Sequence, residues 1–159
     1  MSGSGIDPGF AAQLQLHAAA GRDTLAEAEV YGLLAALGIA VPEHTVVGAD
    51  GDVRIPGAQV VVKIHSSAVA HKAAAGGVAI GPNTPGEIAD AIASIRSRFG
   101  QDASVLIAEE IGHDAEYLIG VRWTDAFGPI VTVGRGGSGV EDLEVPVVLS
   151  TIGGGEHHR

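Results

Sequence analysis

No cysteine occurs among the 159 residues. Disulfides, thiolate catalysis and zinc–sulfur sites are therefore excluded, and a cytoplasmic location is expected. Basic residues are few: nine Lys and Arg stand against nineteen Asp and Glu, a formal net charge of -10. A nucleic-acid binder needs a cationic face to neutralise phosphates, so no nucleic-acid partner is expected. A few focused cations gripping a small phosphate ligand are still allowed. No apolar run approaches the roughly 20 residues of a membrane span, so no membrane partner is expected. The opening MSGSGIDPGF has no basic segment ahead of an apolar stretch and does not read as a signal peptide. Aromatics make up only 4%, which leaves the core to Ala, Val, Leu and Ile.

What is abundant is apolar residues, at 46%, and glycine, at 24 positions. The length suits one domain or two small lobes. Residues 1–23 read as an extension in which FAAQLQLHAAAG could add a short helix. TLAEAEVYGLLAALG follows as a helix, with Thr24 and Glu27 spaced as a capping box and Gly38 placed to end it. Leu25, Ala28, Leu33, Leu34 and Leu37 are its expected apolar face. IAVPEHTVV reads as an extended segment in which Pro42 favours a strand edge or turn, AQVVVKIH as a strand and GGVAIG as a short one. Thr84, Pro85 and Glu87 open a second helix whose inner face is Ile88, Ala91, Ile92, Ile95 and Phe99, and Gly100 stops it. SVLIAEEI is a further strand, EYLIGVRW and GPIVTVG form a hairpin across TDAF, and VPVVLS is a last strand. The expected class is α+β with two lobes: 24–104 the first, 105–150 the start of the second, and 151–159 a tail.

Several residues invite a chemical reading. Lys63 interrupts the apolar run VVVKI. It is either an edge lysine facing water or a cation aimed at a phosphate, since an unpartnered charge in such a run is costly. His71 is either an exposed loop residue or a nucleophile, because imidazole is partly neutral at about pH 7. Gly76 and Gly77 are either a plain turn or a place where backbone N–H groups approach a phosphate. Glu109, Glu110 and Glu116 are either a charged turn or carboxylates that accept from ribose hydroxyls or hold a metal. GRGGSGVE is neither a P-loop nor a Rossmann fingerprint, and no metal is assigned to His157 and His158.

Taken in order, LAEAEVYGLLAALGIAVP, VVVKI, HKAAAGGVAI, TPGEIADAI and VLIAEEIGHDAEYLIGVRWTDAFGPIVTVGRGGSGVE resemble the ATP-grasp domain of NDP-forming acyl-CoA synthetases. These are the ADP-forming acetate–CoA ligases, related to succinyl-CoA synthetase. The resemblance implies an ATP-grasp fold clamping ATP between two lobes, with Mg²⁺ as the accompanying ion. It implies that Lys63 and the Gly76–Gly77 loop meet the phosphates, that Glu109, Glu110 and Ile111 form the adenine-reading hinge, and that Glu116 lies near the ribose. His71 would match the histidine that relays a phosphoryl group to ADP. The implied partner is a CoA-binding or ligase domain, without which the isolated chain is expected to lack ligase activity. Three departures accompany the match. Ser66-Ser67-Ala68 stands where the family usually has Ser-Pro-Asp. GADGDVRIPGAQ is too short for the helix that precedes the family's lysine strand. The family's metal-binding acidic and Asn residues fall beyond Arg159. The alternative implied by these departures is a non-catalytic module with a regulatory or partner-binding role.

Overall fold

The computed structural model describes residues 24–48, 55–69, 71–126, 128–137 and 148–151, with isolated positions at 9, 12, 15, 19 and 21. Most of the expected N-terminal helix, most of GADGDV, the end of the GRGGSGVE loop and the tail after Thr151 lie outside the described residues, Thr151 itself belonging to a strand and not to the expected tail. The chain divides into two units, one ending at Ile111 and the other beginning at Gly112.

The first unit contains helix α1 (Glu27–Ala36), strands β1 (His44–Val47), β2 (Gln59–Ile64) and β3 (Val78–Pro82), helix α2 (Pro85–Phe99) and strand β4 (Val105–Glu109). The strands form one sheet in the order β1-β4-β2-β3, and every neighbouring pair is antiparallel. The division falls after Ile111 because β4 pairs with both β1 and β2 and so belongs to the first sheet.

Alternation along β2 decides what each face does. Val60, Val62 and Ile64 are buried, while Val61 and Lys63 between them are only partly so. Successive side chains of a strand point to opposite faces, so Lys63 stands on the face away from the core. That core joins Val47, Val60, Val62, Ile64, Val105 and Ile107 to Ile88 and Ile95 of α2, with Ala91, Ile92 and Phe99 packed at its edge. The inner face expected of α2 is therefore the one it buries. Its ends also follow the sequence: Thr84 Oγ1 accepts from the Glu87 N–H at 3.4 Å, Pro85 is the first helical residue, and Gly100 closes the helix at φ 111°.

Helix α1 differs from its expected form. The N-cap is Ala26, not Thr24, and Glu29 rather than Glu27 reaches back, accepting from the Ala26 N–H at 2.7 Å. Only Leu33 is buried within the helix, and Leu37 is 45% exposed, so the expected leucine face is not an inner face along its length. The C-terminus does follow expectation. Gly38 adopts φ 74°, its N–H donates to Ala35 O at 2.9 Å, and the Ile39 N–H donates to Leu34 O at 3.0 Å. This Schellman pairing needs a left-handed residue, which glycine supplies without a Cβ penalty.

The second unit is a three-stranded antiparallel sheet of β5 (Tyr117–Thr124), β6 (Gly128–Arg135) and β7 (Val148–Thr151), in that order. The expected hairpin across TDAF is present, with Thr124 opposite Gly128. Tyr117, Leu118, Ile119 and Val121 are exposed.

Truncating the central strand tests this packing. Ile107 is fully buried at 0% exposure, so Ile107→Ala is expected to destabilise the protein by about 2–5 kcal/mol. Ile80, at 63% exposure, should tolerate the same change at about 0.5 kcal/mol. Urea unfolding midpoints of the two variants check the contrast, and equal losses would contradict the assignment of the core face.

Candidate functional site

The face of the sheet carrying Lys63 is served by α1. Because Glu29 takes the capping role, Glu27 is left to point at the strands. Its Oε1 accepts from Lys63 Nζ at 2.5 Å and from the Tyr31 hydroxyl at 2.6 Å, and its Oε2 lies 3.6 Å from Lys72 Nζ. All three charged side chains are mostly shielded, with exposures of 21% for Lys63, 23% for Lys72 and 23% for Glu27. Tyr31 also packs edge-on against His44 of β1, at a ring-centroid distance of 4.8 Å. Thus one carboxylate holds two ammonium groups, one from a strand and one from the loop after it.

Burial alone pushes the Glu27 carboxyl up, but the bonds from Lys63 and Tyr31 and the charges of Lys63 and Lys72 outweigh it. The net effect holds the carboxyl below its ordinary value. The Tyr31 hydroxyl moves the other way, held well above the usual phenol range by burial and by its bond to Glu27. His65, just past the end of β2, is held below its ordinary value by burial, assisted by the Lys72 charge and opposed by Glu29 and Glu27. Its Nδ1 is buried without a hydrogen-bond partner, which favours the neutral ring.

His71 directly precedes Lys72. It is exposed and takes φ 50°, a left-handed conformation uncommon outside glycine and concentrated at functional sites. The loop then closes on itself. Gly76 N donates to Ala73 O at 3.0 Å and Gly77 N to Lys72 O at 2.8 Å. The two amides expected to face a phosphate are therefore spent inside the loop. Both glycines have local reasons to be there. Gly76 takes φ 70°, and a Cβ on Gly77 would lie 2.6 Å from Ile64 Cγ2 and 3.2 Å from the Phe99 ring. Ala68 donates its N–H to Ser66 Oγ at 3.2 Å, so the SSA segment is shaped by a local serine turn.

The remaining expected residues lie elsewhere. Glu109 ends β4 and Glu110 follows it, their N–H groups donating to Glu43 O at 2.8 Å and Gln59 O at 3.2 Å, and Ile111 comes next at 52% exposure. Glu116 belongs to the second unit. It pairs with His113 Nε2 at 2.8 Å and its backbone oxygen accepts from Gly136 N at 2.8 Å, at the edge of a pocket shared with Arg135 and Gly137. Among the described residues no three His, Asp or Glu side chains converge on a metal position. No described helix is long and apolar enough to cross a membrane. Sequence reasoning gave Glu27 only a place in the helix cap and assigned no role to Tyr31, Lys72 or His65. The available signal was the i,i+4 spacing of Glu27 and Tyr31, which puts both on one side of α1.

The shifts fix the sign of a pH dependence. Glu27 has a depressed folded value, so its contribution is present above the ordinary 4.5 and is lost as pH falls through that lower value. His65 is also depressed, so its neutral form supports the fold above 6.5 and stability declines as acid protonates the unfolded chain preferentially. Stability is expected to fall in two stages on acidification. His65→Gln should flatten the stage that begins at pH 6.5, and Glu27→Gln the one below 4.5. Urea midpoints collected across pH check this, and parallel curves for wild type and both variants would contradict it.

Comparison with known proteins shows the family of the chain. A profile of the ATP-grasp domain family matches residues 17–149. A 4-hydroxybutyrate–CoA ligase (ADP-forming) from Nitrosopumilus maritimus is 32% identical over 133 residues, covering 77% of this chain and 19% of the ligase. A protein from Pyrococcus horikoshii superposes with TM-score 0.75 at 24% identity, over 92% of this chain and 66% of that one. The dinucleotide-forming acetyl-coenzyme A synthetase 1 of Ca. Korarchaeum cryptofilum, bound to coenzyme A and Mg-AMPPCP with a phosphohistidine segment pointing towards its nucleotide site, superposes with TM-score 0.66 at 26% identity. That match covers 90% of this chain and 64% of that one. The chain thus spans about a fifth of the length of the curated ligase and under two thirds of the solved chains. With the profile covering most of its length, the chain belongs to the ATP-grasp domain family, and its relatives include ADP-forming acyl-CoA ligases.

Proposed function

We propose that this chain is the nucleotide-binding part of an ADP-forming acyl-CoA synthetase, exchanging a phosphoryl group between ATP or ADP and His71. The observation that carries the reading is the convergence of Lys63 and Lys72 on one anionic position, with Lys72 the residue that follows His71. Two partly shielded ammonium groups, one of them on the residue after an exposed histidine, suit a polyphosphate, with Lys63 acting as a point charge on phosphate oxygens. Imidazole attacks through a nitrogen lone pair. In the transfer, a His71 nitrogen bonds to the terminal phosphorus while the bond to the bridging oxygen breaks, and ADP leaves with that electron pair. The reverse step regenerates ATP from phosphohistidine. The lysines neutralise charge on the transferring oxygens.

Glu109, Glu110 and Ile111 are assigned to the adenine end and Glu116 to the ribose, by resemblance to the family. Mg²⁺ enters with the nucleotide, and no described cluster of this chain is assigned to hold it. The acyl phosphate and CoA chemistry belong to a further domain or subunit, in line with the greater length of the relatives. A second reading, a nucleotide-binding module without phosphoryl transfer, draws support from Ala68 at the place of a carboxylate and from the engaged amides of Gly76 and Gly77.

Incubation with γ-labelled ATP and Mg²⁺ separates the two. Acid-labile, base-stable label on the wild type, absent from His71→Ala, is the expected result. ATP binding without label would favour the second reading. Lys63→Met keeps most of the stem but removes the charge, and should weaken ATP binding roughly tenfold, the loss of one charge-assisted contact. Unchanged affinity by calorimetry would remove Lys63 from the site.

A further inference from the structure

Glu27 is the third member of the charged cluster, and nothing in the proposed transfer uses it. It is the centre of the arrangement. Its two oxygens divide between Lys63 at 2.5 Å and Lys72 at 3.6 Å, and Tyr31 donates to it at 2.6 Å. A carboxylate with this donor set occupies a position that suits a phosphate oxyanion equally well, since ammonium and phenol groups donate to either. Lys72 is also the residue after His71, and it belongs to a loop whose far end is fixed. Gly77 packs against Ile64 and bonds to Lys72 O at 2.8 Å, whereas the near end is connected to α1 through the Lys72 side chain.

We propose that Glu27 is a positioning residue that stands in for phosphate, tethering the His71 loop to α1 through Lys72 and yielding Lys63 and Lys72 to the nucleotide when it binds. The proposal rests on the nucleotide-binding reading above. It makes attachment of the loop and occupation by polyphosphate alternatives at one place. With nucleotide absent, Glu27 prevents two ammonium groups from facing each other unneutralised and keeps the loop down. When a phosphate oxygen replaces the carboxylate on the lysines, α1 no longer restrains Lys72, and His71 is released beside the group it is to attack.

The test uses the full 159-residue chain with Glu27→Gln and Lys72→Met, and with Asp90→Asn on exposed α2 as a control for loss of one negative charge. Without ligand, amide hydrogen exchange over residues 71–77 is expected to be about fivefold faster in Glu27→Gln and in Lys72→Met, the scale of one partly shielded ion pair, with β4 unchanged. In calorimetry with ATP and with inorganic tripolyphosphate, Glu27→Gln is expected to bind about fivefold tighter and Asp90→Asn no tighter than wild type. A purely structural role for Glu27 would instead weaken binding and loosen β4 together. Unchanged exchange at 71–77 in both lysine-pair variants overturns the tether. Equal or weaker binding in Glu27→Gln, with β4 still protected, overturns the competition. If the wild type and every variant bind neither ATP nor tripolyphosphate, the nucleotide reading itself fails and the competition with it, while the exchange data still decide whether Glu27 restrains the loop. Should Glu27→Gln fold poorly, Lys72→Met carries the exchange arm alone.

Discussion

A half-buried carboxylate between two ammonium groups organises the first unit. Lys63 lies on a strand whose alternate residues form the core, and a lysine there must find an anion or a path to water. Glu27 supplies the anion from another element, 36 residues earlier in the chain. Glu27 joins α1 to the Lys63 side of the sheet, where Tyr31 packs against His44 of β1, and it also holds Lys72. A pair of this kind contributes modestly to net stability, because each charge gives up water to form it. Its larger effect is geometric: three segments distant in sequence have their polar groups fixed to a common point.

The loop that carries His71 has two kinds of constraint. Its glycine end is held by close packing, since Gly77 leaves no room for a methyl group against Ile64. Its histidine end is held by backbone bonds to His71 O and Lys72 O from within the loop and, across to α1, by the charge of Lys72. Packing of this sort is insensitive to ligands, whereas an ion pair can exchange one anion for another. A single loop thus has a fixed root and an exchangeable attachment, with the left-handed backbone of His71 at the exchangeable end.

Much of the fold was legible because it follows from local chemistry. The alternation in QVVVKI, the Thr84–Pro85–Glu87 start of α2 and the Gly38 terminus of α1 are each decided within a few residues, and the structure follows them. The start of α1 was misread because Glu27 and Glu29 both suit a reciprocal cap, and Ala26 has no oxygen to mark it as the first cap residue. That misreading also hid the partner of Lys63: a glutamate assigned to a cap is not sought across the sheet. Lys63 and His71 stood out as polar interruptions among small apolar residues. The roles of Gly76 and Gly77 in packing did not, because the atoms they must avoid belong to β2 and α2.

Strand β4 runs between β1 and β2, is buried along nearly its whole length, and is the last element before the chain passes into the second unit. Tension along its axis at residue 111 would load two antiparallel ladders at once, in shear, instead of peeling an edge strand one bond at a time. The chain therefore leaves the first unit from a strand that is hydrogen-bonded on both sides.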